Sequence, residues 1–94
     1  MTDDDFEWDD PKAAWNFREH GVAFETAREV FGDPFALDWL DGREDYGEHR
    51  YATVGMAQGR LLYVAYTMNG ERIRIISARG AEPHEQRSYH EENR

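Results

Sequence analysis

The 94-residue chain has no cysteine, so disulfides and thiolate metal sites are excluded as sources of stability. That absence fits a reducing compartment. No apolar run approaches the roughly 18–20 residues needed to cross a bilayer as a helix. The opening MTDDDFEWDD is the reverse of a basic, apolar signal peptide, so the expectation is a soluble cytoplasmic domain with no membrane contact. Lysine is almost missing: ten of the eleven basic residues are arginine. His84 and His90 lie six apart and no HExxH spacing occurs, so neither a metal site nor a cofactor is expected.

What is present is acid. Twenty Asp and Glu against eleven Lys and Arg give a formal net charge of -9, which repels a polyanion at long range. The charge is uneven, however. Residues 1–10 hold six acids and no base, whereas residues 60–79 hold four arginines and one acid, Glu71. Arginine presents a fixed fork of donors suited to phosphate or carboxylate, so the grouping of Arg72, Arg74 and Arg79 against the overall trend marks a candidate site. A solvated row paired with nearby acids is the competing reading.

With thirteen aromatic residues, the length fits one domain over residues 1–94, with residues 1–5 as a flexible acidic tail. FEW reads as a short strand. DDPKAAWNFREHG reads as a helix capped by Asp10, with Pro11 in its first turn and Gly21 ending it. VAFETAREVFGDP places Phe24, Ala27, Val30 and Phe31 on one helical face, stopped by Gly32-Asp33-Pro34. The period then becomes two: FALDWL, a polar loop DGREDYGE, HRYATVGMA, a turn at Gln58-Gly59, RLLYVAYTM, a turn at Asn69-Gly70, and ERIRIISAR. Glu82 to about Glu92 forms a last short helix. The order β-α-α-β-β-β-β-α predicts an α+β fold, with the two N-terminal helices packed on one face of a mostly antiparallel sheet. Ile73 and Ile75 then face the helices, Arg72 and Arg74 the other side. The direction of Arg79, after Ser77-Ala78, stays open.

These pieces, in this order, resemble the BrnT toxins: Lys12, Asn16, His20-Gly21-Val22, Asp33-Pro34, Glu48-x-Arg50, Ile76-Ser77-Ala78-Arg79-x-Ala81, Glu85 and Tyr89. The resemblance spans Phe6 to Tyr89. It implies a fold similar to the RelE ribonuclease toxins, endoribonuclease activity that inhibits translation, and neutralisation by a BrnA-like antitoxin with a ribbon-helix-helix DNA-binding part. Operator DNA is then contacted only through the antitoxin. Three positions depart from the common pattern. Glu19 and Gln86 stand where a basic residue is usual, and Ala23 stands where a serine or threonine often caps the second helix.

Metal-free RNA cleavage needs an activated 2′-hydroxyl, a stabilised phosphorane and a protonated leaving oxygen. Arg50, Arg72, Arg74 and Arg79 are the candidates for phosphate contact and charge stabilisation, Arg79 foremost because it belongs to the ISAR stretch, and Lys12 is a further substrate-binding candidate. Glu48 or His20 is the candidate proton acceptor, and Tyr89 the group that orients or donates. Each also has a structural use. His20 can help end a helix, Glu48 and Arg50 share a strand face and can form an ion network, and Tyr89 can pack on the sheet. Trp8, Trp15 and Trp39 suit base stacking or core and partner contacts. A module that binds its antitoxin but cleaves weakly or not at all is the alternative function.

Overall fold

Asp9, two residues after the first strand β1 (Phe6–Glu7), is in extended conformation, and its carboxylate accepts the Lys12 N–H at 3.1 Å. The cap is therefore Asp9, and Asp10 becomes the first residue of α1 (Asp10–His20). Gly21 ends α1 in the left-handed conformation, φ 69°, donating its N–H to the Phe17 carbonyl. The second helix is one α turn, α2 (Phe24–Ala27), continued as a 3-10 turn over Arg28–Gly32. Ala23 occupies its N-cap with no side-chain hydrogen bond, leaving the first amides without that satisfaction. The structure, a computed structural model, describes residues 1–45 and 48–94, and the side chains of residues 42–48 lie outside that description.

The strands β2 (Leu37–Asp45), β3 (Glu48–Ala57), β4 (Arg60–Asn69) and β5 (Arg72–Gly80) form an antiparallel meander, and β1 joins the far edge parallel to β5. The final helix is α3 (Pro83–Glu92). The described residues thus follow the expected order, in a sheet arranged β1-β5-β4-β3-β2. Residues 41–45 and 48, expected within a polar loop, belong to strands. β2 continues to Asp45, although its register with β3 breaks between Asp41 and Asp45. The β3–β4 and β4–β5 hairpins have two-residue turns, but of different kinds. Gln58 and Gly59 both have positive φ, 51° and 75°, the type I′ pattern. At the other, Asn69 pairs with Arg72, so the turn residues are Gly70 and Glu71, with positive φ only at Gly70. That is the type II′ pattern, and it leaves the Asn69 side chain free to bond elsewhere.

The first two helices and the 3-10 turn cover one sheet face. Phe24, Ala27 and Val30 have no exposed surface, and they meet Leu62, Val64, Ile75 and Ala78 in the main core. Ile73 is partly buried against the same cluster, as the alternation predicts. Gly55 is required here, because a Cβ at that position would lie 2.7 Å from Cγ1 of Val30. One polar side chain organises the apolar layer. Asn16, 1% exposed, donates to the carbonyls of Val22 and Ala78 at 2.9 Å each and accepts the Ala78 N–H at 3.1 Å. β1 is only two residues long, so the Asn16 amide pairs with the β5 edge that β1 leaves open.

Residues 1–5 also carry specific bonds. Met1 and Trp8 exchange backbone hydrogen bonds at 2.9 Å, and Asp3 pairs with Arg28 at 3.0 Å. Arg72 adds a 2.7 Å bond from Nε to the Asp3 carbonyl. Arg28 also lies over the Phe6 ring, 4.6 Å from its centroid.

Candidate active site on the open sheet face

Strand register decides which side chains share the face away from α1 and α2. Ala65 pairs with Ser77 and Tyr66 with Ile75, so Ile76 is an extra residue in β5. This bulge inverts the alternation beyond it. Ala78 turns into the core, and Arg79 joins Arg72 and Arg74 on the open face. The direction that the sequence leaves open at Arg79 is set by that single unpaired residue.

Three rows cross this face, about 6.5–7 Å apart along the strands. The first carries Asp41 opposite Arg50, then Thr67, Arg74 and Glu7. Thr67 donates its hydroxyl to the His49 carbonyl at 2.7 Å, which ties β4 to β3 in that row. The second row is Trp39, Ala52, Ala65 and Ser77, and the third is Leu37, Val54, Tyr63 and Arg79. Small residues therefore separate the Arg50–Arg74 row from the Tyr63–Arg79 row.

Each arginine of β5 has a different environment. Arg74 donates from Nη1 to Glu7 at 2.7 Å, and its side chain is 43% exposed. Glu7 also accepts from the Asn69 amide at 3.0 Å. The Arg74 bond first, and then the Asn69 bond, hold the Glu7 carboxyl below its ordinary range. Arg79 is far more occupied. Its two terminal nitrogens bind both oxygens of Glu85, at 2.8 and 2.9 Å, and reach the Gly80 carbonyl and Glu82 as well. Its guanidinium also sits over the Tyr63 ring, 4.1 Å from the centroid. Burial alone would raise the Glu85 pKa, but Arg79 and the Glu82 N–H outweigh it and hold that carboxyl low. Arg72 gives one bond, from Nε to the Asp3 carbonyl.

Arg50 is the outlier. Its Nε is buried and has no hydrogen-bond partner among the described residues. A buried donor left unsatisfied costs about 1–3 kcal/mol, more when charged, and such a group calls for a ligand or another explanation.

Glu85 and Tyr89 hold α3 against this face. Glu85 is 8% exposed and completes a reciprocal cap with Glu82 at the helix start. Tyr89 donates its hydroxyl to Asp33 at 2.8 Å. Asp33 also accepts the N–H groups of Phe35 and Met56. Burial would raise the Asp33 carboxyl, but these donors hold it low. Burial and the Asp33 charge raise the Tyr89 phenol. Lys12 and His20 lie exposed on α1, on the helix side of the sheet, where His20 meets the Trp15 ring edge-on at 6.1 Å. The Glu48 side chain lies outside the described residues. Among the described residues, no three His, Asp or Glu side chains are grouped to hold a metal ion.

The partners Glu7 and Tyr63 were not foreseen, because only register brings them to the arginines. The Glu82–Glu85 spacing around Pro83 is a readable capping signal, but nothing in it announces Arg79.

The geometry defines a small α+β protein with arginines of β3 and β5 on its open sheet face. The family model of BrnT, the ribonuclease toxin of type II toxin–antitoxin systems, matches residues 8–85. The chain belongs to this family, and membership gives it an antitoxin protein as partner. Among curated proteins, none matches the chain. No helix among the described residues is long and apolar enough to cross a membrane.

Proposed function

We propose that the open face cleaves RNA without a metal ion, and that a basic ribbon-helix-helix antitoxin neutralises it and supplies the contact with operator DNA. The observation that carries this reading is the Arg50–Arg74 row. Among the described residues, Arg50 has a buried Nε with no partner and Arg74 uses only Nη1, on Glu7. In the proposed reaction the 2′-oxygen attacks phosphorus as the bond to the 5′-oxygen breaks. The 2′-hydroxyl proton passes to a carboxylate, for which Glu48, two residues from Arg50, is the candidate. The leaving 5′-oxygen takes up a proton from water, so the products are a cyclic phosphate and a 5′-hydroxyl. Arg50 and Arg74 stabilise charge on the non-bridging oxygens, where fixed donors act most strongly. Arg79 and Tyr89 are positioning residues, since their donors are engaged by Glu85, Glu82 and Asp33. Arg72 orders the N-terminal segment, and Lys12 and His20 stand outside this centre.

The test is cleavage of RNA by the purified protein, with growth arrest in cells. Arg50→Ala and Arg74→Ala are expected to lower cleavage by at least roughly 100-fold, the scale of losing one charge-stabilising donor. Lysine at either position should restore only part, because the bidentate fork is lost. Arg74→Lys also keeps a cation beside Glu7 and so separates lost chemistry from lost folding. Alanine variants that cleave at the wild-type rate would refute the assignment.

A second reading has its own observation. Glu7 and Glu85 already compensate Arg74 and Arg79, as expected of a module that binds its antitoxin but cleaves weakly. Wild-type protein that binds the antitoxin yet neither cleaves RNA nor arrests growth would establish it.

A further inference from the structure

We infer that Trp39 forms a nucleobase-binding subsite beside the arginine row, stacking the base of the nucleotide next to the cleaved phosphate. This rests on the RNA-cleaving reading above. Trp39 is 42% exposed, although it stands in the strand between partly buried Leu37 and the rest of the open face. Its β3 partner is Ala52, and Arg50 is its diagonal neighbour in the adjacent row. Diagonal neighbours are about 7–8 Å apart between backbones, within reach of long side chains. A phosphate on Arg50 therefore brings its flanking base over the indole.

The surroundings of the ring favour a base over a second phosphate. Trp39 lines a groove of about 390 Å³ between the sheet and α3, with Leu37 and Val54 on its floor and His84, Glu85 and Glu92 on its helix wall. An apolar floor accepts a flat heterocycle, while Glu92, and Glu85 already paired with Arg79, offer an anion no donor. The Trp39 ring is 6.1 Å from the Tyr63 ring, which carries the Arg79 guanidinium at 4.1 Å. The aromatic surface is thus continuous with a cation held in place by Glu85. Stacking needs no particular base, because every base has a π-face.

The other exposed tryptophan, Trp15, is on α1 and meets His20, not an arginine row. Trp8 is 4% exposed and packs on Phe24. Replacing Trp15 by Phe therefore leaves Trp39 as the accessible indole, and its fluorescence reports on the subsite.

The experiment uses the purified protein and a mixed-sequence 2′-O-methyl RNA, which binds but lacks the attacking hydroxyl. Trp39→Ala is expected to weaken binding roughly 5- to 150-fold, the loss of one aromatic–base stack. In cleavage assays the loss should appear in KM more than kcat. Trp39→Phe should keep most of the affinity. In the Trp15→Phe background, RNA should quench the indole emission, and further replacement Trp39→Phe should abolish that quenching. Wild-type cleavage with an unchanged Trp39→Ala variant, or no quenching, overturns the subsite and leaves the ribonuclease reading standing. Wild-type protein that neither binds nor cleaves RNA overturns both. A Trp39→Ala variant that loses antitoxin affinity but not RNA affinity assigns the groove to the antitoxin and overturns the inference.

Discussion

Replacing Glu85 by Ala tests the assembly of the open face most directly. The carboxylate accepts two bonds from Arg79 and one from the Glu82 N–H, so two structures fail together. Removing one partner of a buried pair costs about 3–5 kcal/mol. Here the Arg79 side chain is 30% exposed and keeps Glu82 at 3.2 Å, so water and a second acid reduce that loss to about 2 kcal/mol. Loss of the reciprocal cap adds about 1 kcal/mol. A total near 3 kcal/mol corresponds to a fall in Tm of roughly 12–24 °C for a domain of this size. Urea unfolding with circular dichroism measures it.

The pH dependence supplies a second, independent check on Glu85. Its carboxyl has an ordinary value of 4.5 and a lower one in the fold. The stabilisation is therefore complete above about pH 4.5 and is lost as pH falls through the folded value. The stability gap between wild type and Glu85→Gln should shrink under acid and be constant at neutral pH. A Glu85→Ala variant within about 0.5 kcal/mol of wild type, or a gap unaffected by acid, would refute the reasoning.

Asn16→Ala should destabilise by about 3 kcal/mol, since it strands the Ala78 N–H and two carbonyls in the core. Faster hydrogen exchange at the Ala78 amide would accompany it. Ala23→Ser should stabilise by about 0.5–1 kcal/mol in urea unfolding, because Ala23 is an extended N-cap with no side-chain bond. Gly55→Ala should cost about 1–3 kcal/mol, because its Cβ would meet Val30 at 2.7 Å and Ala36 at 3.0 Å. A neutral result there, by the same measurement, would mean that the 3-10 turn shifts freely.

The sequence by itself determined the elements and the helix-covered face. Helical spacing of Phe24, Ala27 and Val30, two-residue alternation after Pro34, and glycine at the turns are local signals, and local physics reads them correctly. It erred by one residue at the Asp9 cap, where two adjacent acids satisfy the same rule, and at the Gly70-Glu71 turn, where one glycine suits either turn position. It also placed Arg72 and Arg74 opposite Ile73 and Ile75. Tertiary structure decided the rest. One extra residue, Ile76, chose the face of Arg79, because a bulge is defined by the partner strand and not by its own sequence. The parallel pairing of β1 with β5 brought Glu7 to Arg74 across 67 residues, and the seating of α3 brought Glu85 to Arg79. An arginine's sequence shows that it can bind an anion. Only the packed sheet decides whether that anion is already present as a carboxylate.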